Sequence, residues 1–262
     1  MHVPPEALPP RPGPLAVAVG IARVAATLAL AVIGMLVLML AALVPWPHGR
    51  VRPVEHVAGW LARACLWIAG VRREVAGLDR LRGHDGFVFF NHVSYLDPVV
   101  LVAARPMRFL STQGVRRLPL IGPMATTLGT IYVHRGRDDS RAAAREALRG
   151  AVRQSPVPVA LAPEGRIGDG QSVLPFRHGA FEVAAEADAP VVLVGLRFRP
   201  HAYLLWQEGE WVLTAYWRLC ARTVPVVATL EVLGGIEVDE PANAAVWSEA
   251  TEAHFETWLA AA

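Results

Sequence analysis

The sequence predicts an α/β domain: a mixed, partly parallel sheet flanked by helices, preceded by an N-terminal hydrophobic membrane helix and a second amphipathic helix. Three observations support this prediction. An apolar stretch covers residues 15–44, short β-rich runs occur after residue 70, and helix-like stretches separate these runs. Strands that alternate with helices are typical of sheets in which neighbouring strands run parallel.

The composition is that of a folded chain rich in apolar residues. Of the 262 residues, 53% are hydrophobic and 18% are charged, which excludes a disordered chain. The 25 basic residues, all arginine, nearly balance the 23 acidic residues, so the net charge of +2 gives no support to a nucleic-acid partner. Cys65 and Cys220 form no CxxC motif, so we expect neither a disulfide framework nor a cysteine-ligated metal.

The first predicted helix follows a proline-rich lead at residues 1–14. The charge-free stretch 24–44 is long enough, at about 1.5 Å per residue, to cross a hydrocarbon core about 30 Å thick. A cleaved signal peptide is the alternative, but the apolar run is too long for one and no clear A-x-A cleavage site follows it. We therefore predict a retained membrane helix, which has Arg23 as its only charged residue.

The second predicted helix covers residues 54–70 and has apolar side chains nearly all round. Glu55, His56 and Arg63 interrupt this apolar surface. The pattern fits a helix in the membrane interface and equally a core helix of the following domain, so both interpretations stay open. Residues 15–70 together are predicted to anchor the chain, and residues 71–262 to form the α/β domain.

Arginines are more frequent after the first helix than before it. According to the positive-inside rule, this asymmetry places the domain that follows on the cytoplasmic side. The arginines that follow are Arg50, Arg52, Arg63, Arg72 and Arg73, whereas only Arg11 and Arg23 precede or begin the helix.

The elements of the α/β domain are predicted from apolar runs and helix signals. The expected strands lie at 87–90, 130–134, 158–161, 191–196 and 226–232. The expected helices lie at 140–154, with Asp138, Asp139 and Ser140 as capping residues, at 177–186 and at 248–260.

Polar residues with the chemistry of a general base follow the apolar run 87–90. His92 and Asp97 do not share a helix face, but a turn between them could bring them together, and Pro98 is expected to keep the backbone of Asp97 out of the α region. Asp97 would then bind one imidazole nitrogen and leave the other free to take a proton from a hydroxyl. The spacing alone is not specific, because His134 and Asp139 repeat it.

Four segments in order resemble the motif blocks of the glycerolipid acyltransferase family, which contains the 1-acylglycerol-3-phosphate acyltransferases. The first is the Asn-His-x4-Asp segment at 91–97, and the second is the Gly, β run and Arg at 129–135. The third is the Pro-Glu-Gly-Arg segment with its following glycines at 163–177, and the fourth is the Pro-led strand at 189–194. The resemblance covers residues 70–235 and makes 71–262 an acyltransferase domain.

The resemblance implies a mechanism and a set of substrates. His92 would be the general base and Asp97 its orienting partner, with no acyl-enzyme, no cofactor and no metal. The acyl donor would be a thioester, either acyl-CoA or acyl-carrier protein. The acceptor would be a lysolipid such as 1-acylglycerol-3-phosphate. The protein would act at the inner membrane of a bacterium. The residues assigned to substrate binding are Asn91, Arg135, Glu164, Gly165 and Arg166.

Arg166 departs from the family pattern. Members often have Pro-Glu-Gly-Thr followed by Arg or Ser, whereas this chain has Arg166 at the Thr position and Ile167 next. The acceptor could therefore differ from lysophosphatidic acid, and a lyso-ornithine lipid stays open as an alternative acceptor.

Other interpretations of these residues stay open as well. A membrane-anchored hydrolase would use His92, Asp97 and Glu164 as metal ligands, and a non-catalytic lipid-binding protein would use none of them for chemistry. A basic stripe of arginines at every fourth residue is either a solvated helix face or a docking site for anionic lipid or an acidic carrier. Its members are Arg141, Arg145, Arg149 and Arg153.

Overall fold

The computed structural model describes residues 8–44, 51–134, 138–207, 209–238 and 240–261. Within these ranges a single mixed sheet has helices on both faces, so the predicted fold class is confirmed. The strands are β1 (Val71–Ala76), β2 (Phe87–Phe90), β3 (Arg108–Thr112), β4 (Ile131–Val133), β5 (Val159–Leu161), β6 (Val191–Arg199) and β7 (Val226–Ile236).

The helices of the described residues form two layers and an N-terminal pair. They are α1 (Pro14–Ala42), α2 (Pro53–Ile68), α3 (Leu78–Leu81), α4 (Asp97–Ala104), α5 (Gln113–Arg116), α6 (Ile121–Thr127), α7 (Asp138–Gln154), α8 (His178–Ala187), α9 (Val212–Cys220) and α10 (Ala244–Ala260).

The strand order is β1-β7-β6-β2-β5-β3-β4. Neighbouring strands from β6 to β4 are parallel, whereas β7 is antiparallel to β6 and parallel to β1. The carboxyl ends of β2, β5, β3 and β4 therefore open at the same edge of the sheet, where α/β proteins bind their ligands.

Strand β2 shows why the sheet is buried on both faces. Val88 and Phe90 belong to a core formed with α1, α2, α4 and α9. Phe87 and Phe89 point the other way, into a core formed with α7, α8 and α10, because successive side chains of a strand alternate between faces. A strand buried on both sides is a continuous apolar run in the sequence, which is why 87–90 is recognisable there.

Two strands and several helices are not predicted by the sequence patterns. Strand β1 lies at the sheet edge and is exposed beyond Val71, so it lacks an apolar run. Strand β3 is only half-buried along its length. Strands β6 and β7 extend beyond the predicted ends because they pair antiparallel from Val191 to Arg199. The sequence patterns do not predict helices α4, α6 and α9. The side chains proposed to cap α7 lie outside the described residues.

Helix α1 combines a membrane-helix composition with a face that packs on the domain. Among the described residues only α1 is long and apolar enough to cross a membrane. Gly20 meets Ala221 and Gly34 meets Leu61 so closely that an added Cβ at either glycine would lie within 3.0 Å of its neighbour. The opposite face exposes large apolar side chains, including Ile33, Leu36, Val37 and Leu40.

The single charge of α1 points to the protein. The Arg23 guanidinium donates hydrogen bonds to the carbonyl oxygens of Cys220 and Arg222, at 3.1 and 2.8 Å. The Cys220 carbonyl belongs to the last residue of α9, and the Arg222 carbonyl lies two residues beyond it. Carbonyls at a helix C-terminus have no partner within their own helix. Arg23 therefore joins α1 to the domain instead of facing lipid.

Helix α2 has a buried face and an exposed aromatic face. Val54, Ala58, Ala62 and Leu66 recur at helical spacing in the core shared with α4. The exposed side chains of α2 include Trp60, 71% exposed, and Trp67, 81% exposed. The buried face is that of a core helix, and whether the exposed face lies in a membrane interface stays a prediction.

Candidate active site

The loop between β2 and α4 brings His92 and Asp97 together. Nδ1 of His92 lies 2.8 Å from Oδ2 of Asp97. The same oxygen accepts hydrogen bonds from the backbone N–H groups of Val93 and Ser94, at 2.9 and 3.0 Å. Because Nδ1 is bound to the carboxylate, Nε2 is the imidazole nitrogen that can take a proton from a substrate.

His92 and Asp97 differ in their access to solvent. The Asp97 side chain is fully buried, whereas that of His92 is 23% exposed. Burial raises the pKa of Asp97, and the hydrogen bonds from His92, Ser94 and Val93 oppose that rise. A molecule that approaches from solvent can therefore meet the imidazole and not its carboxylate partner.

The backbone at Asp97 differs from the sequence expectation. Asp97 begins α4 instead of staying outside the α region, and Pro98 lies in the first turn of the helix. Proline is tolerated there because the N–H groups of the first turn have no partner within the helix. The backbone N–H of Asp97 donates to the carbonyl oxygen of Ser94 at 3.2 Å, which closes the turn between the two catalytic candidates.

Asn91 links the end of β2 to β6. Its side-chain amide donates to the carbonyl oxygen of Leu196 at 3.0 Å, and its Oδ1 accepts from the backbone N–H of Leu196 at 2.7 Å. Asn91 is also 1% exposed. Its side-chain amide is therefore buried and bound to β6, directly before His92 in the chain.

Glu164 follows β5 and contacts the backbone of His92. Its Oε1 accepts the His92 N–H at 3.0 Å, and the backbone N–H of Gly168 donates to the His92 carbonyl oxygen at 2.7 Å. Both backbone polar groups of His92 are therefore bound by the 164–168 turn. Burial raises the pKa of Glu164 to about 8, against the opposing effect of the His92 N–H.

Gly165 and Arg166 continue the turn beside a second arginine. Gly165 has a φ of +69°, and an added Cβ would lie 2.8 Å from Nε of Arg177. Arg166 and Arg177 are both exposed, and no described carboxylate forms an ion pair with either. Sequence reasoning placed Arg177 in the third motif block but not among the binding residues; its signal was an arginine directly after Leu-Pro-Phe.

The second His-x4-Asp pair lies at a different part of the sheet edge. His134 follows β4, three strands from β2, and is exposed in an open cleft that Thr112 and Arg117 also line. The side chain of Asp139 lies outside the described residues, and so does the whole of Arg135, which the sequence assigns to substrate binding.

Carboxylates near His92 already accept hydrogen bonds from nearby groups. Oδ2 of Asp97 has three donors, and Oε1 of Glu164 has the His92 N–H. Over the described ranges, no group of three or more His, Cys, Asp and Glu side chains is placed to hold a metal ion.

The basic stripe of α7 faces α8. Arg145 forms an ion pair with Glu182, and Arg149 pairs with Glu186 at 3.0 Å. The side chain of Arg141 lies outside the described residues. These ion pairs bind α7 to α8 and neutralise both arginines, which disfavours the interpretation of a docking site for an anion.

Comparison with known proteins identifies relatives of the region that holds this site. Residues 72–197 match the Acyltransferase family model. The chain is 34% identical over 157 residues to the 1-acyl-sn-glycerol-3-phosphate acyltransferase of Neisseria meningitidis, 58% of each protein. It is 34% identical over 135 residues to the lyso-ornithine lipid O-acyltransferase of Rhodobacter capsulatus, 51% of this chain and 48% of that protein. The chain thus matches less than two thirds of the length of these relatives.

The fold is also similar to that of a solved structure. The crystal structure of the 1-acyl-sn-glycerophosphate (LPA) acyltransferase PlsC from Thermotoga maritima superposes with a TM-score of 0.59 and 14% sequence identity. The match covers 88% of this chain and 96% of that one. At this identity the similarity shows a shared fold.

Proposed function

From the match of residues 72–197 to the Acyltransferase family model and from the relatives above, we propose that the chain moves a fatty acyl group from a thioester donor to the free hydroxyl of a lysolipid. The observation that carries the proposal is the partly exposed His92 imidazole at the carboxyl end of β2, with its Nδ1 bound to buried Asp97.

In the proposed reaction His92 acts as a general base. Nε2 takes the proton of the acceptor hydroxyl, and the hydroxyl oxygen attacks the carbonyl carbon of the thioester. The C–S bond then breaks, and the thiol leaves with the proton that the imidazole held. Asp97 keeps Nδ1 protonated and stabilises the imidazolium, a type of catalysis that contributes about 10²- to 10⁴-fold in rate. The reaction needs no acyl-enzyme, cofactor or metal.

Asn91 and Glu164 are assigned to positioning rather than to direct contact with substrate. Both are buried: Asn91 binds the backbone of Leu196 within β6, and Glu164 binds the backbone N–H of His92 just after β2. Glu164 accepts a hydrogen bond from the backbone N–H of His92 and thereby fixes the position of the imidazole at the carboxyl end of β2.

Gly165, Arg166 and Arg177 are assigned to the acceptor head group. Two guanidinium groups beside one glycine turn match an anionic group such as a phosphate, because each can form paired hydrogen bonds to its oxygens. We therefore propose 1-acylglycerol-3-phosphate or a related lysolipid as acceptor, with a lyso-ornithine lipid as the alternative. Arg135 belongs to the same proposal from its place in the second motif block.

The proposed location is the inner membrane of a bacterium, with the domain on the cytoplasmic side. Membrane association is supported by the apolar face of α1 and by the relatives that act on lipids. The cytoplasmic side follows from the distribution of arginines around α1. There the donor, acyl-CoA or acyl-carrier protein, would reach the site from water and the lysolipid from the membrane.

The test is product identification with the purified full-length protein. It would be incubated with a labelled acyl thioester and a panel of lysolipids: lysophosphatidate, lyso-ornithine lipid and a lysolipid with a neutral head group. We expect a diacylated product from lysophosphatidate, identified by its mass. Release of free fatty acid without any diacylated product would favour a hydrolase and contradict the proposal.

A further inference from the structure

Helix α2 presents tryptophans where a water-soluble helix would present charged or polar groups. Trp60 and Trp67 lie two turns apart on one face, and they are 71% and 81% exposed. Gly34 of α1 packs on Leu61 of α2, so the helix that carries these rings is in direct contact with the apolar helix α1. Tryptophan rings favour the boundary between hydrocarbon and water, because the ring is apolar and its N–H needs a polar partner.

Two arginines stand at the same face and share one acceptor. Nη1 of Arg63 and Nη1 of Arg73 both donate to the carbonyl oxygen of Ala103, at 3.1 and 3.2 Å. The Arg63 guanidinium lies 5.4 Å from the ring centre of Trp60. No carboxylate in the described part of the chain forms an ion pair with either arginine, although each guanidinium has several more N–H groups to donate.

The pairing of like charges here is unfavourable without an anion. Burial and the neighbouring Arg63 lower the pKa of Arg73, and no acidic group opposes this effect. A phosphate would relieve the repulsion and would accept the unused N–H groups of both guanidinium groups.

We propose that Trp60, Arg63 and Trp67 of α2, together with Arg73 of the neighbouring strand β1, bind the head groups of anionic phospholipids at the membrane surface. These four residues are here called the α2 stripe. The rings insert at the boundary of the bilayer, and the two arginines contact lipid phosphates beside them. This inference rests on the membrane location proposed above and not on acyl transfer. It gives the chain a preference for anionic membranes that its net charge of +2 would not by itself produce.

The α2 stripe differs from the basic stripe of α7 in its surroundings. Arg145 and Arg149 of α7 are bound by Glu182 and Glu186, whereas the α2 stripe has no described carboxylate partner. Helix α7 also packs on the sheet face opposite to α1 and α2. The two stripes therefore supply a matched comparison of arginines without and with a described carboxylate partner, on opposite sides of the sheet.

The test is flotation of the full-length protein with vesicles of phosphatidylcholine alone or mixed with phosphatidylglycerol, without thioester or lysolipid. Each arginine near an anionic surface contributes a factor of about five in partitioning. Arg63→Gln with Arg73→Gln should therefore lower the preference for the mixed vesicles by about thirtyfold, while binding to phosphatidylcholine persists. Trp60→Ala with Trp67→Ala should weaken binding to both vesicle types.

Two further variants control for charge and for folding. Arg145→Gln with Arg149→Gln removes the same charge from α7, at two arginines that already have carboxylate partners, and should leave the preference unchanged. Arg63→Lys with Arg73→Lys keeps the charge and should recover part of the preference, which a folding defect would not do.

An anionic preference that survives in the Arg63→Gln, Arg73→Gln protein, or that falls equally in the α7 variant, would overturn the inference. So would a wild-type protein that binds both vesicle types equally. The flotation assay contains no thioester or lysolipid, so its outcome does not depend on whether the protein transfers acyl groups. The proposed function and this inference can therefore be contradicted independently.

Discussion

Asp97 and Glu164 both fix the position of His92, and only the contact with Asp97 is predictable from the sequence. Asp97 binds the imidazole from within the same short loop, and the strand, the turn and the spacing together predict that contact. Glu164 binds the His92 backbone from 72 positions further along the chain. That contact depends on β2 and β5 being neighbours, and strand neighbours are not encoded in the local pattern of either strand. Sequence therefore assigned Glu164 to substrate binding, whereas its buried geometry suits positioning.

Glu164 should make the stability of the protein depend on pH. Its pKa is raised from 4.5 to about 8, so the folded state binds a proton that the unfolded state has lost. The stabilisation from this proton is full below about pH 4.5 and is lost as the pH rises to about 8, with a slope of at most about 1.4 kcal/mol per pH unit. Thermal unfolding in detergent across this range would show the slope.

Glu164→Gln is the informative variant, because it keeps an acceptor oxygen for the His92 N–H and removes the titration. We expect its unfolding temperature to vary less with pH than that of the wild type. Glu164→Ala would leave a buried N–H unpaired, at a cost of about 1–3 kcal/mol. Parallel pH curves for the wild type and Glu164→Gln would show that Glu164 is ionised in the folded state.

Arg166 and Arg177 should determine the affinity for the acceptor. A hydrogen bond from a charged group contributes about 1.5–3 kcal/mol, so Arg166→Ala should raise the KM for lysolipid about ten- to hundredfold and hardly change that for thioester. Arg177→Ala should act in the same direction. Arg166→Lys should recover little if the contact is bidentate.

Saturation curves that vary each substrate in turn would measure these effects. Arg82→Ala serves as a control, because Arg82 is an exposed arginine paired with Asp79 and should change neither curve. A shift in the thioester curve alone would assign the turn to the donor.

At the scale of elements, the N-terminal helices are the clearest case of a partly correct prediction. The sequence predicts α1 from its length and apolar content, and α2 from residues 54–70. The sequence does not show that one face of α1 packs on α2 and α9. Glycine and alanine are apolar, so they do not distinguish a face that packs on protein from a face exposed to lipid. The sequence shows Arg23 only as the single charge of this helix, because its carbonyl partners lie about 200 residues away and no local pattern points to them.

Arg23→Leu distinguishes the two environments by the sign of its effect. If Arg23 binds the carbonyls at the end of α9, its loss should destabilise the protein by about 1–3 kcal/mol, measured as a lower unfolding temperature in detergent. If Arg23 faced lipid, the substitution would instead stabilise the helix, since arginine at the centre of a span costs roughly 2.5–3.5 kcal/mol. Val32→Ala, on the exposed face, should change the unfolding temperature little.

At the scale of the whole molecule, motif blocks that are distant in sequence meet at one edge of the sheet. The first block follows β2 and the third follows β5, and these strands are parallel neighbours. The sequence predicts the inner strands because burial on both faces leaves apolar runs. It predicts neither β1 nor β3, which are exposed or half-buried, and it does not give the strand order, because pairing joins distant segments. The sequence shows the order of the motif blocks along the chain, but it does not show the order of the strands in the sheet.

The central claim is that His92 is the base of an acyl transfer, and the most direct measurement is the transfer rate of three proteins. Purified wild type, His92→Ala and His134→Ala would each be given a labelled acyl thioester and lysophosphatidate, after circular dichroism has shown that all three are folded. We expect His92→Ala to lose activity by about 10²-fold or more and His134→Ala, which has the same His-x4-Asp spacing, to lose little. Near-normal turnover by folded His92→Ala would contradict the account.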